Sequence, residues 1–253
     1  MIDSARRRAG GRPLVALVRG DLGELETLRV AAQLAEAAGA PLTGCVLPLP
    51  PRSGLPLLRD LAGDRVEGWR GWSELAAELR ARAAVRGLVV SSSTWRLAAR
   101  GLWPALERCP VVVQRRRPGG LPGSVLMAVD SRTTNAAMAP LLDALGVAAP
   151  RRITVVYASV PAWAASLASA MGYPALAGGP VEERFPWPLA AGANGVCVHS
   201  TPFWAIRCLA HELRPDMVVL GLHRHRVPVP ALAHPTAWAL SRELASDVLL
   251  YPV

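Results

Sequence analysis

The 253-residue sequence contains no lysine; all 28 of its basic side chains are arginines, and against 19 acidic residues they give a formal charge of +9. Such a balance raises the question of a polyanionic partner, because guanidinium forks match phosphate oxygens. The arginines are scattered, however. Only Arg6-Arg7-Arg8 and Arg115-Arg116-Arg117 form runs, both inside Gly/Pro-rich stretches that read as a tail and a linker. The charge is therefore read as an Arg-for-Lys compositional bias, and nucleic acid is not expected as a partner. Aromatics are scarce, with three Tyr and two Phe beside eight Trp. The four cysteines, Cys45, Cys109, Cys197 and Cys208, form no CxxC pair. Three lie in or beside apolar strand-like or helical segments, which argues for reduced, buried thiols in a cytoplasmic chain. No apolar run reaches the roughly 18–20 residues of a membrane span. The run Leu14–Val18, bracketed by Pro13 and Arg19, is too short for a secretory signal core.

What is present is alternation. Short apolar runs alternate with longer Ala/Leu-rich amphipathic stretches, the pattern of βαβ units around a mostly parallel sheet. In the first half, strands are predicted over Leu14–Val18, Pro41–Leu47, Leu88–Ser92 and Val111–Gln114. Helices are predicted over Leu22–Ala38 (stopped by Gly39), Ser73–Ala84 (with Ser73 as N-cap) and Trp95–Arg108. Pro48 to Pro56 reads as irregular. Residues 117–123 combine Pro and Gly into a linker between a first unit, 12–116, and a second, 124–253; residues 1–11 form a basic tail. The second half repeats the order. Its strands fall at Ser124–Val129, Ile153–Ala158, Val196–His199, Met217–Leu220 and Asp247–Tyr251, and its helices at Thr133–Leu145, Trp163–Met171, Pro202–Leu213 and Thr236–Leu244.

The repetition is legible in register. Arg70–Ser91 overlays Ser200–Gly221 at a shift of 130, whereas the first strands align at a shift of 111, placing Arg19 opposite Asp130. The difference between the two shifts is read as an insertion within about 159–195 of the second half. That stretch is rich in Gly, Pro and Ala, the composition of a lid, a partner-binding loop or a disordered segment.

Three segments carry a family likeness. VLMAVDSRTTNAAMAPLLDAL (Val125–Leu145), RPDMVVLGLHRH (Arg214–His225) and AHPTAWALSRELASDVLLYPV (Ala233–Val253) resemble the first strand and helix, the phosphate-loop strand, and the last helix and strand of universal stress proteins. In the first half the likeness is fainter, resting on element order and on CPVVVQ (Cys109–Gln114). The resemblance implies two tandem α/β units, each an open, mostly parallel five-stranded sheet with helices on both faces. Members that bind ATP carry a loop of the form G-x2-G-x9-G-[S/T]. There glycines let backbone approach phosphate, and the following helix N-terminus supplies N–H donors.

On that pattern the second half keeps Asp130 and Gly221. Arg224 and His234 replace glycines, Pro235 replaces the Ser/Thr, and Thr236 follows one residue late. Arg224 and His234 are potential phosphate donors, yet each also fills space a phosphate would use. His199 is expected to end a strand beside the one ending at Gly221 and so to approach the same loop. In the first half, Arg19 replaces the Asp and Ser91 the Gly. The stretch from Ser91 to Cys109 is seven positions shorter than its counterpart from Gly221 to Ser246, and the shortfall is the phosphate loop itself. That half is expected to be structural, packing against the second.

Other features read blandly. His223, His225 and His234 lie close in sequence but beside Arg224 and Arg226, which suits an anion rather than a metal. Ser91-Ser92-Ser93-Thr94 lacks a nucleophile elbow and reads as a strand-end turn with capping hydroxyls. The tryptophans read as core or unit–unit packing. The expected function is a non-enzymatic stress or regulatory protein sensing ATP, another adenine nucleotide or another small anion through the second half. A scaffold with both pockets closed and faces used for homodimerisation is the alternative, with a slow ATPase ranked last.

Overall fold

A computed structural model of the chain describes residues 11–47, 54–80, 85–96, 109–115, 121–129, 152–159, 193–222 and 235–252. The first half contributes strands β1 (Leu14–Val18), β2 (Leu42–Val46), β3 (Gly68–Gly71), β4 (Gly87–Ser91) and β5 (Val111–Gln114). The second contributes β6 (Ser124–Val129), β7 (Arg152–Ser159), β8 (Ala193–His199), β9 (Met217–Leu222) and β10 (Asp247–Pro252). The described helices are α1 (Leu25–Ala37), α2 (Leu55–Ala62), α3 (Trp72–Arg80), α4 (Pro202–Leu213) and α5 (Pro235–Glu243).

The strands lie in one sheet in the order β3-β2-β1-β4-β5-β10-β9-β6-β7-β8. Outward from the centre, each half has the same order, and every pair within a half is parallel. The single antiparallel pair, Val113 opposite Val248 through Val111 opposite Leu250, joins the halves at β5 and β10. The two five-stranded sheets expected from the sequence are thus fused edge to edge, which leaves neither last strand as a bare edge.

Register repeats as well as order. Leu14 pairs with Gly87, and Val125 with Met217, which reproduces the shifts of 111 and 130. Leu88 pairs with Val111, and Val218 with Val248. The second of these pairs is seven positions wider than the first, which reproduces the shortfall after β4 relative to β9. The extra length earlier in the second half falls in two places. Most of it separates β7 from β8, since Thr43 pairs with Gly68 but Thr154 with the more distant Asn194. The rest lies between β8 and β9.

Among the described residues, helices lie on both faces of the first half and on one face of the second, and the strands are buried as parallel strands are. Alternation along β1 sends Val15 and Leu17 to the face shared by α3, α4 and α5, and Leu14, Ala16 and Val18 to the face under α1 and α2. Each apolar layer runs across both halves. In α1 the spacing of Leu28, Ala31, Leu34 and Ala35 makes the buried stripe. The helix ends as expected at Gly39, whose φ of 59° suits a residue without Cβ.

Two elements are absent from the sequence reading. α2 begins inside the proline-rich stretch, at Leu55 after the N-cap Gly54, with Pro in its first turn. β3 is four residues flanked by glycine, with no apolar run to signal it. Its Trp69 pairs with Gly44, and the ring occupies the space a Cβ there would need. Ser73 is not an N-cap, because α3 already begins at Trp72. The helices expected over Thr133–Leu145 and Trp163–Met171, and most of Trp95–Arg108, lie outside the described residues.

The seam is locked on one face by side chains. Trp95, fully buried, donates its indole N–H to Ser241 Oγ at 3.0 Å, and Ser241 Oγ donates to Trp238 O at 2.9 Å. The Trp95 and Trp238 rings lie 6.4 Å apart. Arg115 donates its backbone N–H to Asp247 Oδ1 at 2.7 Å and its guanidinium to Ser241 O. Burial, and secondarily Arg96, pulls the Arg115 guanidinium below its usual range against the opposing pull of Asp247.

Cys109, 2% exposed just before β5, has its thiol pushed by burial from 9.0 up to about 12. The native state therefore holds that proton more tightly than the unfolded chain does. This contribution is intact below pH 9 and is lost as pH rises from about 9 to 12, at about 1.4 kcal/mol per pH unit. Urea unfolding of the wild type from pH 8 to 11 should show this slope, and Cys109→Ala should flatten it.

Candidate functional site

In doubly wound sheets, ligands sit at the carboxyl ends of the strands, where the strand order reverses. The chain has two such points, between β1 and β4 and between β6 and β9.

At the second, Ala128 pairs with Leu220, so β6 and β9 are direct neighbours and Asp130 follows β6 immediately. Gly221 continues the β9 ladder opposite Tyr251, half-exposed, with buried Leu222 after it. α5 starts at Pro235, with Thr236 partly exposed in its first turn. Asp130, Arg224 and His234, like His223 and His225, lie outside the described residues. His199 is a correction to the sequence reading. It is the last residue of β8, which lies at the outer end of the sheet, so β7 and β6 stand between it and β9. Three strand spacings amount to roughly 14 Å. Consecutive strands here are not adjacent, because the order doubles back at β6.

At the first switch point the structure is explicit. Glu24 is 1% exposed. Its Oε2 accepts the backbone N–H groups of Arg19 at 2.7 Å, Gly20 at 3.1 Å and Asp21 at 3.1 Å. Its Oε1 accepts the Thr94 hydroxyl from beyond β4. Close by in the fold, Thr27 Oγ1 donates to Gln114 Oε1 at 3.0 Å, tying α1 to the end of β5. Locally the arrangement starts as a capping box: Asp21 accepts from Gly23, and Glu24 reaches back to Asp21. Only one of the four donors belongs to that motif. The others come from the turn leaving β1 and from Thr94, far away in sequence.

The serine run behaves as the sequence suggested. Ser91 Oγ accepts from Thr94 N at 3.1 Å, capping a helical turn over 92–96 that starts directly after β4. The capping box D-x-x-E at Asp21–Glu24 was readable as a helix start. Nothing in sequence pointed to Thr94 as its fourth donor, because that contact depends on the β1–β4 pairing. A groove of about 510 Å³ beside Glu36, Asp64 and Glu67 opens at the opposite, amino-terminal edge of the strands.

These observations define a doubly wound α/β protein with two switch points in one continuous sheet. No family model matches the sequence, and no curated protein matches it. Solved structures do match. A universal stress protein from Archaeoglobus fulgidus DSM 4304 has 10% identity and a TM-score of 0.61, covering 95% of this chain and 98% of that one. A putative universal stress protein from Pseudomonas aeruginosa UCBPP-PA14 has 16% identity and a TM-score of 0.57, covering 97% and 94%. A functionally unknown protein from Pseudomonas aeruginosa PAO1 has 17% identity and a TM-score of 0.56, covering 98% and 94%. The chain has the universal-stress-protein fold along nearly its whole length. Among the described residues, no helix is long and apolar enough to cross a membrane.

Proposed function

We propose that the chain is a non-enzymatic regulatory protein of the universal-stress type that senses an adenine nucleotide or another small anion through its second half. One contrast carries this reading. At the first switch point a buried carboxylate, Glu24, already occupies the converging donors. At the offsets that relate the paired strands, Glu24 corresponds to Asn135 and Thr94 to Arg224. The second half thus has a neutral residue type in place of the built-in anion and a cation in place of a hydroxyl. At the offset that relates Glu24 to Asn135, Asp130 stands opposite Arg19, so Arg224 is the one new cation on which an incoming anion would depend. The stretch between β9 and its partner β10 is seven positions longer in sequence than its counterpart after β4. Pro235 stands where a magnesium-binding hydroxyl would be expected, which supports binding rather than turnover.

Thermal unfolding with ATP, ADP, AMP, cyclic nucleotides and inorganic phosphate tests the reading. A ligand at 100 times its Kd adds about 2.7 kcal/mol of stability, visible as a raised melting temperature that Arg224→Ala removes. No shift with any of them would favour a scaffold with both pockets closed.

A further inference from the structure

Glu24 invites a question separate from nucleotide binding: why a carboxylate should be buried, 1% exposed, at a strand-end crevice and held by three backbone N–H groups and a hydroxyl. A capping box accounts for the Asp21 donor alone. The N–H groups of Arg19 and Gly20 come from the turn leaving β1, where Gly20 has a φ of 91° that orients the turn in a conformation other residues rarely take. Successive N–H groups arranged in this way form a concavity selective for anionic oxygen. Thr94 closes it from the β4 side, so the pocket forms only when both strands are in place. Among the described residues, the donors to Glu24 are three backbone N–H groups and one hydroxyl, none of them a charged side chain.

We propose that the first switch point is a small-carboxylate site that the chain fills with its own Glu24, so that this half is permanently in its ligand-occupied form. The donors recognise one carboxylate group, and the tether supplies it within the chain, so no second molecule has to be captured. The geometry has a stereochemical consequence. Glu24→Ala deletes Cγ, Cδ and both oxygens, which together make an acetate ion. Glu24→Gly deletes one carbon more and leaves the outline of propionate. A diffusible carboxylate of matching length should therefore replace the lost side chain.

The test is thermal unfolding of the full chain in rising acetate, propionate or chloride at constant sodium concentration. Glu24→Ala should melt about 5 °C or more below the wild type. Acetate should restore part of the loss saturably, and chloride should not. In Glu24→Gly the preference should move to propionate. Glu24→Gln keeps the shape and blocks the site, so it should show no rescue, and neither should the wild type. Equal responses of Glu24→Ala to acetate and chloride, or the same acetate response in the wild type, would overturn the proposal. If Glu24→Ala does not fold in chloride, refolding from urea in acetate decides: recovery supports the site, and failure in both salts refutes it. Any acetate bound by the second half would act equally on the wild type, so the difference between wild type and Glu24→Ala reads the first half alone.

Discussion

Replacing Trp95 by alanine is expected to cost about 3–5 kcal/mol, the range for a large aromatic removed from a packed core. Trp95 has no exposed surface and belongs to the apolar layer that spans both halves. Its loss leaves a cavity beside Trp238 and deprives Ser241 Oγ of its indole donor. Since small domains are stable by only about 5–15 kcal/mol, a protein near the low end would be largely unfolded at 37 °C. Trp95→Phe, which keeps a ring but removes the N–H, should cost less than half as much. Urea unfolding of the three proteins gives the ordering; a Trp95→Ala variant within about 1 kcal/mol of the wild type would show that the halves do not depend on this contact.

The second large effect lies on the other face of the seam. Val112, 1% exposed, stands opposite Leu249 in the antiparallel pair and points into the layer under α1. Val112→Asp would bury a carboxylate in an apolar layer, at a cost of several kcal/mol. Val112→Ala, which only leaves a small void, should cost about 1–3 kcal/mol. The aspartate variant should regain stability as pH falls through the carboxylate range, because protonation removes the buried charge. Circular dichroism at pH 7 and pH 4 distinguishes this from simple loss of packing, which would show no recovery on acidification. The far strands of both halves should lose hydrogen-exchange protection together, since one sheet carries both.

Much of this architecture was legible in sequence because buried parallel strands write themselves as unbroken apolar runs. Leu14–Val18, Val111–Gln114 and Ser124–Val129 coincide with observed strands. The offsets of 111 and 130 reappear in the strand registers because pairing fixes which residues face one another. β3 was not legible: an edge strand of Gly-Trp-Arg-Gly buries little and carries no periodic signal. The fusion through β5 and β10 was also hidden, since Val111–Val113 reads the same with a parallel or an antiparallel neighbour. For the site, the family resemblance pointed to Gly221 and Thr236, which lie at the end of β9 and in the first turn of α5. It misplaced His199, because chain order does not reveal that β6 and β7 intervene before β9. It passed over Glu24, whose significance depends on Thr94, a residue remote in sequence that the β1–β4 pairing brings alongside.

Isothermal titration of the full chain with whichever anion gives the largest thermal shift bears most directly on the division of labour between the halves. One ligand per chain is expected, lost in Arg224→Ala and retained in Glu24→Gln. Two ligands per chain, or a single ligand that survives Arg224→Ala but not Glu24→Gln, would place binding in the first half and contradict it.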